Sequence, residues 1–233
     1  MNPQKKALAA KIYLYLAALF VTSLVVSNLI FQKFFYWYPF DGKIFGSRLF
    51  ELSVGILPYP LTFLITDLIS EIYGKNSANR VVTAGIFASF FSMGILLIAD
   101  YVPGMENSPV DDATFTKVFS LSPLAVLASM IAYLLAQFID IRIYHFWKKM
   151  THGKMLWLRN NFSTFASQFL DTFSVVFLLT IFGILPWDLF FGLVLSGFIF
   201  KIIVAALDTP ILYFLVWMFS RKFDLKPGEE IKL

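Results

Sequence analysis

Six apolar runs dominate the sequence, at roughly residues 12–32, 49–73, 79–100, 121–141, 162–182 and 188–219. A helix needs about 20 such residues to cross a hydrocarbon core of ~30 Å. Inside lipid only helices and closed barrels satisfy their own backbone hydrogen bonds. These runs are continuous, not alternating segments of ~10 residues, so they predict helices. The expected fold class is an all-α polytopic integral membrane protein, a bundle of about six transmembrane helices forming a single transmembrane domain over residues 1–233. Composition excludes the soluble classes. Hydrophobic residues are 58% and charged residues 15%, against about 25% charged in a soluble domain, too little polar surface for a water-soluble chain of 233 residues. Disordered and nucleic-acid-binding readings fall with it. There is no Cys, which removes disulfides, thiolate nucleophiles and Cys-type metal sites.

The first run is too long for a signal peptide, and no small-residue cleavage site precedes Asn28, so it is expected to be a retained helix. Lys and Arg set the orientation. One side collects Lys5, Lys6, Lys11, Lys75, Arg80, Arg142, Lys148, Lys149, Lys154, Arg159, Arg221, Lys222, Lys226 and Lys232, 14 in all; the other has Lys33, Lys43, Arg48 and Lys117. The split predicts an even number of spans with both termini cytoplasmic, on short tails of about 1–11 and 220–233. The outer 100–120 loop, with Asp100, Glu106, Asp111 and Asp112, is acidic, which fits. The longest non-spanning pieces are expected at 101–120 and 142–161. In the second, Tyr144, Phe146, Trp147 and Trp157 interleave with basic residues, the pattern of an interface anchor.

Ionisable residues within the apolar runs carry the functional signal. An Asp, Lys or Arg at a helix centre costs roughly 2.5–3.5 kcal/mol on insertion scales, so several on one chain demand partners or a wet cavity. In the second run Asp67 and Glu71 are four apart and share a face, and Thr62, Thr66 and Ser70 line an adjacent one. Pro58 and Pro60 interrupt the backbone ladder above this stripe. Glu71 lies near the cytoplasmic end, where solvation is a sufficient account of it; Asp67 is about 9 Å in, at 1.5 Å per residue. In the fifth run Asn161 or Ser163 is a plausible N-cap, and Thr164, Gln168 and Asp171 fall on one face. Asp171 sits about 13 Å deep. The sixth run holds Lys201 and Asp208 seven apart, on one face, followed by Thr209-Pro210. At about 32 residues it is too long for one straight span, and Pro210 predicts a helix kinked or broken there. Lys201 has two candidate partners, Asp208 and Asp171. The fourth run ends in Gln137-x-x-Asp140, which echoes Gln168-x-x-Asp171 and suggests a weak internal repeat. Asp140 is expected in a solvated pair with Arg142, and Asn28 in helix packing.

Other chemistries lack their motifs. There is no phosphate-binding glycine loop and no nucleophile elbow. His145 and His152 have no metal-ligand spacing, so no metal and no cofactor is expected. Asp140 and Asp171 imitate an intramembrane aspartyl dyad, without the Gly-x-Gly-Asp context of that class. No enzyme activity is expected.

The segment from Thr62 to Gly74, then Ser167-Gln168-x-x-Asp171-Thr172, then Lys201 with Asp208-Thr209-Pro210, together resemble the queuosine precursor transporter family, also called vitamin uptake transporters. The resemblance spans about residues 12–220. It implies a bacterial inner-membrane importer of 7-cyano-7-deazaguanine or 7-aminomethyl-7-deazaguanine for queuosine salvage in tRNA modification. The chemistry suits the residues. A deazaguanine edge offers an exocyclic amine and a ring N–H, and a carboxylate accepts both. Asp67, Gln168 and Asp171 are expected to bind the base, with Thr66 and Phe63 beside them, and Tyr59 and Tyr213 as further stacking candidates. Lys201 and Asp208 are expected to form a charge pair that breaks during transport, and Glu71 to gate the cytoplasmic side. The implied partners are the deazapurine and the lipid bilayer, with no nucleic acid; a homodimer is common among small transporters. Two other readings fit the size and motifs: the substrate-binding membrane subunit of an ATPase-driven vitamin importer, and a membrane assembly factor with no substrate.

Overall fold

The structure, a computed structural model, describes residues 2–30, 33–36, 43–44, 47–48, 51–119, 123–183 and 185–232. Among the described residues six long helices make the bundle: α1 (Pro3–Ile30), α2 (Tyr59–Ile72), α3 (Lys75–Tyr101), α5 (Pro123–Met150), α6 (Leu156–Ile181) and α7 (Phe190–Phe223). A short α4 (Asp112–Phe119) lies between α3 and α5. Between α1 and α2 run four short strands, β1 (Phe34–Tyr36), β2 (Lys43–Ile44), β3 (Ser47–Arg48) and β4 (Glu51–Ser53), paired antiparallel as β1 with β4 and β2 with β3. They are an excursion from a helical bundle, and the all-α polytopic class stands. Among the described residues five helical segments are long and apolar enough to cross a membrane: Pro3–Ile30, Val54–Ile72, Lys75–Tyr101, Leu156–Ile181 and Trp187–Phe223. The sixth long helix, α5, has 28 residues and carries Gln137, Asp140, Arg142 and His145. It packs chiefly on α6, and also on α3 and α2.

The apolar surface is turned outward. Phe87, Phe91, Ile98, Phe191 and Phe214 are all exposed, as lipid-facing side chains are. The buried positions are unusually polar, above all on α6 and α2; α2 is the shorter of the two. Its 14 residues span only about 21 Å at 1.5 Å per residue. It begins at Pro58-Tyr59-Pro60, where a missing N–H costs nothing because the first turn has no intrahelical acceptors. A single 3-10 turn, Val54–Ile56, precedes it. From Ile65 to Ile72 every residue is buried, walled in by α1, α3, α5 and α7. The polar stripe predicted on this helix therefore faces protein on all sides.

Close helix approach has a visible cause where α3 meets α1. A Cβ on Gly85 would lie 2.6 Å from the Phe20 ring and 3.0 Å from Leu24; only glycine lets these backbones meet, as small residues do in membrane bundles.

Both chain ends lie at one end of the bundle. Lys5 pairs with Asp224. Tyr73 Oη donates to the Ala9 carbonyl at 2.9 Å, and the Ile231 N–H donates to the Ile72 carbonyl at 2.7 Å. Gly74, at φ +81°, makes the α2–α3 turn beside Glu230. This agrees with an even number of crossings.

Three local expectations are corrected. The 142–161 segment is not a loop: α5 continues to Met150 and α6 begins at Leu156, because the basic stretch is also amphipathic and packs. Phe146 and Trp157 are exposed as anchors are, but Tyr144 is fully buried. Neither Asn161 nor Ser163 caps α6; its N-cap position is Met155, in a left-handed conformation. Finally, of a kink or a break at Pro210, the break does not occur: α7 continues through it for 34 residues, about 51 Å at 1.5 Å per residue. Its excess over a ~30 Å core ends in Arg221 and Lys222, cations suited to a helix C-terminus.

Candidate functional site

Lys201 sits at the centre of the bundle on α7. Its Nζ lies 2.5 Å from Asp171 Oδ2 on α6 and 4.6 Å from the centroid of the Tyr59 ring at the start of α2. A cation over an aromatic face gains roughly 2 kcal/mol where water is excluded. Lys201 therefore pairs with Asp171, not with Asp208 as one of the two expected pairings had it. Seven residues along α7 put Asp208 two turns from Lys201, whereas α6 presents Asp171 at the level of the amine.

The Lys201–Asp171–Tyr59 group separates two spaces. On one side is a cavity of about 600 Å³, within the 300–1,000 Å³ typical of small-molecule sites. All six long helices contribute to its wall, which is largely apolar, with polar groups at Ser27, Asn28, Ser89, Ser129, Tyr133 and Thr172 besides the Lys201–Asp171 pair. On the other side is a crevice of only about 20 Å³, room for about one water. Phe63, Asp67, Thr164, Gln168 and Asp208 line it. Lys201, Tyr59 and Ile56 border both. The predicted site residues thus divide: Asp171 faces the large cavity, while Asp67, Gln168, Phe63 and Asp208 face the crevice. Thr66 lines neither. It is fully buried in the seam between α2 and α5, its Oγ1 3.0 Å from the Thr62 and Phe63 carbonyls and 3.3 Å from Gln137 Oε1. Tyr213 lies away from both spaces, accepting the Trp157 N–H at 2.9 Å.

An aromatic group closes the floor of the cavity. Tyr59 contacts Phe63 with ring centroids 5.3 Å apart and Tyr133 at 5.5 Å. Phe63 and Tyr133 meet edge-on at 6.2 Å. Tyr133 in turn accepts from Gln137 Nε2 at 2.7 Å.

Beyond the crevice, at the end that holds the termini, a second charge cluster closes the bundle. Glu71 is not solvated. Arg159 Nη2 donates to its Oε1 at 2.5 Å, and Tyr144 Oη to its Oε2 at 3.0 Å. Lys148 Nζ lies 3.7 Å from the same carboxylate. That amine also donates to the carbonyl of Glu71 at 3.0 Å, capping the end of α2, and to Glu230 Oε1 at 2.9 Å. Arg159 is 1% exposed, a burial made tolerable by its counter-charge, by the Lys154 carbonyl at 2.7 Å and by Tyr144, whose Oη accepts from Arg159 Nε at 3.4 Å.

Asp140 is also buried, not paired with Arg142 at the surface. It is fully inaccessible, and Ser167 Oγ donates to its Oδ1 at 2.9 Å. The two Gln-x-x-Asp copies face different neighbours. Gln137 and Asp140 turn toward α2 and α6, and Asp171 turns toward α7.

A family profile described as "Putative vitamin uptake transporter" matches residues 53–215, more than half of the chain. The chain belongs to this family. A curated relative in Bacillus subtilis (strain 168), named "Probable queuosine precursor transporter", is 28% identical over 169 residues, which cover 69% of this chain and 70% of the relative. No solved structure matches. The family segment contains the Lys201–Asp171 pair, both carboxylates of the α2–α5 seam and the Glu71–Arg159 pair. Lys5 and Glu230, which tie the termini down, fall outside it.

Sequence reasoning undervalued Arg159, Lys148, Tyr144, Tyr133, Gln137 and Asp140, which the fold brings into or beside the candidate site. One signal was available for Arg159: Glu71 has no cation within a turn on its own helix, and Arg159-Asn160-Asn161 directly precedes an apolar run.

Proposed function

We propose that the protein imports a flat, donor-rich base of the queuosine-precursor class, 7-cyano-7-deazaguanine or its 7-aminomethyl form, across the bacterial inner membrane. The observation that carries this reading is the buried Lys201–Asp171 pair on the floor of a cavity large enough for such a base. A deazaguanine edge presents a carbonyl acceptor beside a ring N–H and an exocyclic amine. An ammonium beside a carboxylate offers the complementary set: Lys201 donates to the carbonyl, and Asp171 accepts the two N–H groups. Tyr59 and Tyr133 supply faces for the ring. Binding exchanges the internal ion pair for contacts with the base, so it loosens the partition between cavity and crevice.

Asp67 and Gln168, with Phe63 at the wall and Thr66 bracing the seam behind, form the next station. Asp208 extends it toward the end closed by Glu71. In this arrangement the cavity is the entry side, and the Glu71–Arg159–Lys148 cluster is the shut cytoplasmic exit. The excess of Lys and Arg at that end supports cytoplasmic termini. The relative's printed name supports the substrate class. The decisive test is queuosine in transfer RNA, measured in a bacterium lacking both queuosine synthesis and its own importer, fed each precursor. Expression of this chain alone restores the modification if the reading is right. No restoration with either precursor overturns it.

A further inference from the structure

We propose that Asp67 and Asp140 together bind one monovalent cation, a proton or Na⁺, whose entry is coupled to uptake. The two carboxylates come from helices that run in the same direction through the bundle, and two contacts fix their register. Thr66 meets Gln137 on one side of them at 3.3 Å, and Glu71 meets Tyr144 on the other at 3.0 Å. Asp67 and Asp140 are the residues between these two contacts, one on each side of the α2–α5 seam, so the register brings the two carboxylates together. They are 3% and 0% exposed.

Among the described residues neither makes an ion pair. The buried cations nearby are committed elsewhere, Lys201 to Asp171 and both Arg159 and Lys148 to Glu71. Two like charges at this separation in a low dielectric require a counter-charge. The charged and titratable groups facing them add none: Glu71 one turn along α2, Tyr133 and Tyr144 on α5, Asp208 on α7, and Tyr59.

The surroundings look like a binding site, not a sealed defect. Asp67 Oδ1, Asp140 Oδ2, Thr164 Oγ1 and Gln168 Oε1 are all buried without a hydrogen-bond partner, and Asp67, Thr164 and Gln168 share the crevice wall. Buried polar atoms are rarely left this way without a ligand or water. The ligand set is all oxygen, as a hard cation prefers. With two carboxylates in the site, a monovalent ion leaves one negative charge to accept the N–H groups of the base. The cation would also prepare the crevice for the base, since it offsets the second negative charge next to Asp67 while leaving that side chain as an acceptor. The unpartnered oxygens of pair and crevice are then all met only when both solutes are aboard, the cation between the carboxylates and the base's N–H groups on the acceptors left over, the requirement for carrying them together.

The cation site stands on the geometry alone; its coupling to uptake rests on the proposed function. Two measurements separate them. In purified protein, the infrared carboxyl band is followed while pH is raised without Na⁺, and again while Na⁺ is added. Wild type is expected to lose a protonated-carboxyl band with one of these ligands, and the double variant Asp67→Asn/Asp140→Asn to show no such change. An identical response in wild type and double variant overturns the site. In proteoliposomes, labelled precursor uptake is compared with and without an imposed pH gradient or Na⁺ gradient. One gradient is expected to accelerate wild type, which names the ion. In Asp140→Asn the ratio should fall to one, and Asp140→Glu should recover part of it. Wild-type uptake indifferent to both gradients, with equilibrium exchange of precursor intact, overturns the coupling. Loss of exchange as well counts against the transport reading, and the infrared result still decides the site.

Discussion

Lys201 Nζ reaches Asp171 Oδ2 across the α6–α7 interface at 2.5 Å, and the two side chains are only 12% and 5% exposed. A buried pair of this kind is costly to leave half-made. Removing one partner typically costs ~3–5 kcal/mol, because the other charge stays buried and alone. Asp171→Asn and Lys201→Met are each expected to lower thermal stability in detergent by about that amount. The double variant should recover most of it and remain inactive in uptake, since stability needs neutrality and binding needs both charges. A double variant that transports normally contradicts the assignment.

The Glu71–Arg159 pair makes a separate prediction. Arg159 is almost fully buried, and its shortest contact is with Glu71. Glu71→Gln should destabilise the protein by ~3–5 kcal/mol. The reversed pair, Glu71→Arg with Arg159→Glu, should regain part of that loss. A double-mutant cycle on unfolding checks this, and a coupling energy near zero means that the two residues act independently.

At the α1–α3 contact, Gly85→Ala places a methyl 2.6 Å from the Phe20 ring, and Phe20 is fully buried and cannot swing aside. Overpacking of this kind costs about 1–3 kcal/mol. Adding Phe20→Leu should recover part of the melting temperature lost by Gly85→Ala.

Outside the membrane, Asp111 caps α4. Its Oδ1 accepts the Thr114 N–H at 2.6 Å, and this bond holds its carboxyl below the usual carboxylate range. A depressed folded-state value means that the cap is present above the unfolded-state value and is lost as pH falls through the folded one. Acidification should therefore move the Thr114 amide resonance in wild type and leave it still in Asp111→Asn, whose side-chain carbonyl accepts at every pH. The same acid shift in both proteins refutes the cap.

Much of this architecture is legible in the sequence because membrane insertion leaves few choices. Apolar length predicts the long helices, and the four-residue spacing of Asp67 and Glu71 places both on the buried face of α2. Pairing is a different matter. Whether Lys201 meets Asp171 or Asp208 depends on how α6 and α7 are rotated against each other, and no spacing within either helix reports that. Arg159 and Lys148 read as surface cations because counting charges near helix ends treats each as solvated. Instead α5 and α6 extend past the expected boundary and carry both inward to Glu71. Asp140 was misplaced for the same reason: Arg142, two residues away, is a nearer neighbour in sequence than Asp67 but points elsewhere.

The central claim is that the pair on the cavity floor grips the base. Its most direct test is calorimetric binding of 7-cyano-7-deazaguanine to the purified protein, with wild type and Asp171→Asn compared at equal folded fraction. Loss of a charged acceptor for two N–H groups is worth about 1.5–3 kcal/mol per bond, so affinity should fall by roughly 100-fold or more. Equal affinity for the two proteins would place the base somewhere other than beside Asp171.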